Sequence, residues 1–353
     1  MSLEILVVDD SALLRRVECD IINSDNKFKV TDTCKDGLEA LEKLRTKKYD
    51  GVVLDINMPR MDGLELLQQL QKEKIKANIV MASTLTVEGA DEAIKSLELG
   101  AIDFVTKPSN IIEAKGDAFK KALLDVLYAA TKARVHFKKP SLTPAADKTA
   151  ASSVNRLKKP GQNKIIAIAS STGGPKALQS VIPKIPADID APVVLVQHMP
   201  AGFTSSMAAR LNELSKVQVK EAEDGELLKK GVVYIAPGGK HIVVNKKGAS
   251  HVIGYSDMPP IGGLKPCANI MFDSLGQTGF DEVVCVVLTG MGADGTNGIL
   301  SLGKKKSVHV IAQDESSCIV YGMPRAIYEA GVVDEVVALS KVAETIIKNV
   351  GVK

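Results

Sequence analysis

Three stretches in the second half of the chain place reactive side chains where apolar runs end. "KIIAIASSTGGPKAL", Lys164–Leu178, passes from an apolar run through Ser170, Ser171 and Thr172 to Gly173 and Gly174, then into a helical pattern. Such a strand–turn–helix corner offers backbone N–H groups and the positive end of a helix dipole, and its glycines allow close approach. It suits a phosphate as well as an oxyanion beside a nucleophilic hydroxyl. "PVVLVQHMP" brings His198 to a strand end, and "VVLTGMGADGTNG" carries Asp294 in a glycine-rich loop after another. A hydroxyl, an imidazole and a carboxylate at three strand ends of one sheet are the parts of an acyl-transfer triad. His198 would take the serine proton, and Asp294 would hold the ring in the right tautomer and favour its cation. Amides of the Ser-Thr-Gly-Gly corner or of the Met291 loop would stabilise the oxyanion. The corner is neither GxGxxG, nor a Walker-type phosphate loop, nor the GxSxG elbow. A lone histidine at a strand end is more often packed than catalytic, and Asp-Gly after Gly-Ala is more often a turn. Spacing alone leaves acyl transfer and phosphate binding open, and does not choose between Ser171 and Ser170.

The first half carries a different set. Asp9 and Asp10 end the first apolar run, Asp55 ends the third, and Ser83 and Lys107 end the fourth and fifth. In a parallel α/β sheet the strand carboxyl ends face one crevice, so these groups meet. Three carboxylates together repel, and a hard divalent cation with oxygen ligands relieves that repulsion. Acids, metal, hydroxyl and ammonium together suit phosphoryl transfer to a carboxylate. Strand-end groups that are merely solvated are the competing reading, and three acids, a hydroxyl and an ammonium in this order weigh against it.

The elements that must position these groups follow from the hydrophobic pattern. In the first half, β-branched runs ("EILVVDD", "FKVTDTC", "DGVVLDI", "ANIVMAS", "AIDFVT") alternate with amphipathic segments, among them "SALLRRVECDIIN" capped by Ser11 and a closing helix near Gly116 to Ala133. Five strands alternating with five helices predict a parallel sheet covered on both faces. Residues 134–161 lose this periodicity and are rich in prolines, hydroxyls, small residues and Lys/Arg, which reads as a solvated basic tether. Beyond it the alternation resumes in a second α/β domain, 162–353, doubly wound and mostly parallel. There "GVVYIAPGGKHIVVN" and "SHVIGYS" read as antiparallel hairpin strands, and a helix is expected near Ala268 to Gly276.

The bulk numbers bound the function. A chain of 353 residues with 45% apolar and 25% charged residues is an ordinary globular protein with room for two cores. The net charge of +3 is too small to argue for nucleic acid, and no apolar run reaches membrane-spanning length. The start "MSLEILVVDD" lacks the basic, long-apolar pattern of a secretory signal, so a cytoplasmic location is expected. Cys19, Cys34, Cys267, Cys285 and Cys318 are far apart with no CxxC spacing, as for free thiols in a reducing compartment, and the scattered histidines suggest no zinc site. A first domain joined to a DNA-binding output would need a compact helix-turn-helix module in the second half, which its strand-rich pattern does not show.

The first segment resembles a two-component receiver domain, of flavodoxin-like (βα)5 fold, in "VVDDS", "DGLEAL", "DINMPRMDGLE", "MASTLT" and "GAIDFVTKP". The resemblance implies that Asp55 accepts a phosphoryl group from a histidine kinase. It implies that Asp10, Asp55 and the backbone carbonyl of Asn57 hold Mg2+, with Asp9 helping through water. It also implies that Ser83, Phe104 and Lys107 form the switch that senses phosphorylation. From Lys164 onward the chain resembles the catalytic domain of the CheB family of chemotaxis protein-glutamate methylesterases, in "SSTGGP", "VQHMPAGFT", "EAEDGE", "YIAPGGKH", "LTGMGADG", "AQDESSCIVYGMPRAI" and "GVVDEVV". That resemblance implies Ser171 as nucleophile, His198 as base, Asp294 as its orienting acid, and the amides of Thr172 and Met291 as oxyanion contributors. It further implies demethylation of glutamate methyl esters and deamidation of particular glutamines on chemoreceptors, raised by phosphorylation, with no cofactor for the ester chemistry and neither nucleic acid nor membrane insertion. Two departures stand out: Ala169-Ser170 replaces the usual Gly-Ala before the nucleophile, and "LKPCANIMF", Leu264–Phe272, stands where relatives often read near "HRPSVDVLF".

Overall fold

The computed structural model describes residues 2–84, 86–108, 110–114, 116–132 and 163–352. The tether expected over 134–161 lies outside the described residues. Two compact units, each built on its own parallel sheet, divide the chain.

In the first unit the strands are β1 (Leu3–Val8), β2 (Phe28–Cys34), β3 (Gly51–Asp55), β4 (Ile79–Ser83) and β5 (Asp103–Thr106), in the order β2-β1-β3-β4-β5. All four pairings are parallel. The runs are continuous because both faces are covered: Ile5 to Val8 and Val52 to Leu54 are fully buried. The helices begin where polar caps satisfy their first amides. Ser11 caps Ala12–Asn23, Asp36 caps Gly37–Thr46, Asp62 forms a capping box with Glu65 ahead of Gly63–Glu73, and Thr86 caps Val87–Glu98. The closing helix is Asp117–Lys132, and a short turn of helix, Ile111–Ala114, adds to the expected five. The strand order reverses between β1 and β3, so their carboxyl ends flank the crevice of this sheet.

The second unit has β6 (Lys164–Ser170), β7 (Val193–Gln197), β8 (Gln218–Glu221), β9 (Val232–Ile235), β10 (His241–Lys247), β11 (Ser250–Ser256), β12 (Glu282–Val287), β13 (Ser307–Gln313) and β14 (Glu335–Val337). Seven of these form one sheet in the order β14-β13-β12-β6-β7-β9-β8, parallel throughout. β10 and β11 form a separate antiparallel hairpin. One expectation is corrected here. The first half of "GVVYIAPGGKHIVVN" is not a hairpin strand, because β9 lies between β7 and β8 in the parallel sheet. All four of its residues are buried; a short apolar run carries no alternation that distinguishes a two-faced central strand from a hairpin strand. The chain crosses from β6 to β7 on one side and reaches β12 on the other. The carboxyl ends of β12, β6 and β7 therefore open on one crevice.

Candidate active site

Ser170 is the last residue of β6 and pairs across to Gln197, the last of β7. The Ser170 hydroxyl is fully buried and donates to Gln197 Oε1 at 2.7 Å. The Gln197 amide in turn donates to the carbonyls of Ser171 (3.0 Å) and His198 (3.1 Å). Ser171, one residue further, is only partly buried, and its side chain makes no hydrogen bond to the protein among the described residues. Its backbone, in contrast, is fastened on both sides. Ser171 N–H donates to Thr289 O beyond β12 at 3.0 Å, and Ser171 O accepts from Gly174 N at 2.6 Å. Thr289 Oγ1 donates to Thr172 O at 3.0 Å, while its own N–H is held by Gln313 Oε1 at 2.9 Å. Gly173 sits at φ 74°, the left-handed turn that lets the corner enter the helix Gly174–Val181, with Pro175 in the first turn.

His198 follows β7, and its N–H donates to Ser170 O at 3.1 Å. Its ring is held by Asp294, Nε2 to Oδ2, at 2.8 Å. Asp294 is 8% exposed and takes four further donors: Ala268 N–H on Oδ2 (2.6 Å), and Asn269 N–H (3.0 Å), Gly295 N–H (2.9 Å) and Cys267 Sγ–H (3.1 Å) on Oδ1. Burial pushes this carboxyl up, but the hydrogen bonds and charge of His198 with the other donors outweigh it and hold it at about 2. Asp294 is therefore a carboxylate at neutral pH. With a carboxylate opposite, the proton between the two groups sits on Nε2, which turns Nδ1 to the far side of the ring.

Two amides are available for an oxyanion. Ser171 O is taken by Gly174 and Gln197, so the trans Thr172 N–H points to the other side of that peptide. Gly290 O likewise accepts from Gly322 N (3.0 Å) and Met323 N (2.8 Å), which turns Met291 N–H away from them. Neither amide has a protein acceptor among the described residues. A Cβ on Gly290 would stand 2.8 Å from Ser171 Cβ, so this loop packs directly against the corner. A preorganised pair of N–H donors beside a hydroxyl, with an oriented imidazole at the neighbouring strand end, can carry acyl transfer. The structure thus brings His198 and Asp294 into direct contact and sets Ser171 at the adjacent strand end, without a Ser171–His198 hydrogen bond. Gln197 and Cys267 were not singled out from the sequence. Gln197 adjoins His198 in "VQH", and Cys267 lies in the departing stretch "LKPCANIMF".

In the first unit, carboxylate oxygens of Asp9, Asp10 and Asp55 lie within 4.8 Å of one another. Asp9 and Asp55 are buried and Asp10 is exposed. Lys107 joins them, Nζ to Asp9 Oδ2 at 2.6 Å and to Asp55 Oδ2 at 2.7 Å. Burial works against the Lys107 ammonium, yet the two carboxylates hold it above the usual lysine range. Asp55 is pushed up to about 6, chiefly by burial and also by Asp9, with Lys107 opposing. Three converging carboxylates, two of them buried, fit Mg2+. Asn57 is exposed at the start of the next loop, its side-chain amide donating to Glu92 at 3.1 Å. Ser83 is buried and donates to Gly89 O at 2.7 Å, and its carbonyl accepts Lys107 N–H at 2.6 Å. Phe104 is buried. No described helix is long and apolar enough to cross a membrane.

Comparison with known proteins gives the same two regions. Residues 166–346 match the CheB methylesterase family and residues 5–115 the response regulator receiver domain. A protein-glutamate methylesterase/protein-glutamine glutaminase of Halalkalibacterium halodurans is 41% identical over 348 residues, covering 98% of both chains. The one named so in Bacillus subtilis is 41% identical over 350 residues, 98% of this chain and 97% of its own. The crystal structure of the Thermotoga maritima CheB methylesterase catalytic domain superimposes with a TM-score of 0.50 at 40% identity, covering 53% of this chain and 98% of that one.

Proposed function

The chain belongs to the CheB methylesterase family and carries a response regulator receiver domain, and on that premise we propose that it is a phosphorylation-controlled serine hydrolase of chemoreceptors. Its substrates are glutamate methyl esters, and particular glutamine amides, on receptor signalling helices in the cytoplasm. The observation that carries this reading is the Asp294–His198 pair, 2.8 Å apart, at the strand end next to Ser171.

The chemistry follows from these groups. Ser171 Oγ attacks the ester carbonyl as His198 Nδ1 takes its proton, and the resulting imidazolium is favoured by Asp294. The oxyanion of the tetrahedral intermediate lies on the Thr172 and Met291 amides. Collapse expels methoxide, which leaves as methanol with the proton from His198. Water, deprotonated by the same ring, then hydrolyses the acyl-serine to free glutamate. With a glutamine the leaving group is ammonia.

In the receiver domain, Asp55 is the carboxylate that accepts a phosphoryl group from a histidine kinase. Asp10, Asp55 and the Asn57 carbonyl would hold Mg2+ with help from Asp9, and the ion would neutralise charge on the phosphoryl oxygens. Lys107 and Ser83 then meet the new phosphate, and Phe104 belongs to the same switch. Phosphorylation biases a two-state element toward the active form.

The test is methanol release from methylated receptor membranes, with and without a small phosphodonor, for wild type, Ser171→Ala and Asp55→Asn. The expected result is no release by Ser171→Ala and no phosphodonor response by Asp55→Asn. Undiminished release by the serine variant removes the nucleophile, and a surviving response in the aspartate variant removes the switch.

A further inference from the structure

Asp294 is fastened by a side chain from outside the three strand ends. Cys267 precedes the helix Ala268–Ser274 and is 1% exposed. Its Sγ lies 3.1 Å from Asp294 Oδ1, and its N–H donates to His241 Nδ1 at 3.1 Å. The thiol is the donor, because burial and the adjacent carboxylate push it up to about 11 and keep it protonated. His241 is fully buried, and with Nδ1 committed as an acceptor its ring proton sits on Nε2, 3.2 Å from Pro259 O. The Cys267 backbone is thereby anchored to a neutral histidine while its side chain faces the carboxylate.

We propose that Cys267 is a positioning residue of the hydrolase: its thiol proton, set in place through His241, holds Asp294 Oδ1 so that Oδ2 stays on His198 Nε2. The proposal rests on Ser171, His198 and Asp294 being the triad. Five donors surround the Asp294 carboxylate, and three are backbone amides that a change of side chain among non-proline residues leaves in place. Of the two side-chain donors, His198 is the base itself, which leaves Cys267 as the anchor whose donor a side-chain change can remove without touching the backbone. A carboxylate that loses one donor concentrates its charge on the remaining partners and turns more freely about its own bond. Both effects fall on the imidazole. The freer rotation of the carboxylate loosens ring orientation and lowers the rate, and the concentrated charge favours the protonated ring.

The experiment compares the full-length protein with Cys267→Ala, Cys267→Val and Cys267→Ser, using methanol release from methylated receptor membranes and thermal unfolding as a control for folding. Alanine and valine remove the donor, valine while keeping apolar volume; serine keeps one. Loss of a hydrogen bond of this kind predicts a fall in kcat of about 3- to 30-fold in the apolar variants, with KM changed less than about twofold. The acid limb of their kcat/KM profile moves to higher pH, whereas Cys267→Ser keeps both the rate and the limb close to wild type. A purely space-filling cysteine would move neither. Folded alanine or valine variants with the wild-type rate and limb overturn the proposal, as does a folded serine variant as impaired as alanine. Retained release by Ser171→Ala overturns the triad itself, which distinguishes failure of that premise from failure of the role given to Cys267.

Discussion

Ser170 and Gln197 are tied together at the ends of adjacent strands, hydroxyl to side-chain carbonyl, at 2.7 Å. That bond separates two neighbouring serines that spacing alone leaves equivalent. Ser170 Oγ is buried and engaged, whereas the Ser171 side chain is partly exposed. Ser171→Ala should lower kcat by at least about 10³-fold. Ser170→Ala should keep turnover but leave Gln197 Oε1 buried without its donor, at a cost of ~1–3 kcal/mol. Methanol release and denaturant unfolding on both variants separate the two roles; equal loss of turnover would refute the assignment.

Asp294 links the site to acid stability. Its carboxyl is held at about 2 in the fold, against about 3.9 in an unfolded chain. The unfolded state therefore binds the proton first as pH falls. The stabilisation is complete above about 4 and disappears as pH drops through about 2, and amounts to ~2–3 kcal/mol. Asp294→Asn should flatten this part of the pH–stability curve and lower kcat by about 10⁴-fold through the wrong ring tautomer. An unchanged acid slope in the variant would show that the carboxylate is not held as described.

Gly290 tests the packing of the Met291 loop against the Ser171 corner. An added Cβ would stand 2.8 Å from Ser171 Cβ and 3.1 Å from Ser171 N. In Gly290→Ala, Met323 Sδ, which the added Cβ meets first, belongs to a flexible side chain that can give way. The 2.8 Å contact, in contrast, must be relieved by shifting Ser171 or the Met291 loop, and a displacement near 1 Å costs about 10²-fold in rate. The loss should fall on kcat rather than KM. A variant with wild-type kcat means the two loops are further apart than the structure has them.

Glu18 gives the receiver domain a slope of opposite sign. It is 1% exposed on the helix Ala12–Asn23, its Oε2 has no hydrogen-bond partner among the described residues, and burial with Asp9 pushes its carboxyl up to about 8. Between about 4.5 and 8 the fold keeps a proton that the unfolded chain has released, so stability declines as pH rises, by at most ~1.4 kcal/mol per pH unit. Glu18→Gln, neutral and near-isosteric, should remove that decline and stabilise the protein at pH 8. Unfolding free energies at pH 5 and pH 8, measured without divalent ions, decide the matter.

Much of the fold was legible because parallel α/β units announce themselves. Ser11, Asp36 and Asp62 sit just ahead of amphipathic runs and cap them as their residue types require. The continuous apolar runs are buried on both faces. The exception was Val232–Ile235: a four-residue apolar run next to a Pro-Gly-Gly turn has no period to read, and only its partners β7 and β8 reveal it as a central strand. The short helix Ile111–Ala114 was likewise too brief to carry a pattern.

Residue types and strand-end positions, written in the chain itself, were enough to nominate a hydroxyl, an imidazole and a carboxylate for one crevice, and three acids with a lysine for the other. Hydrophobic period and turn chemistry are local, and they suffice to say which end of a strand a residue occupies. Which serine is free, which ring nitrogen faces the acid and which thiol steadies that acid were decided only by the folded chain. Those answers depend on hydrogen bonds between residues 26 to 117 positions apart. Contacts of that range leave no periodic trace in the order of the amino acids.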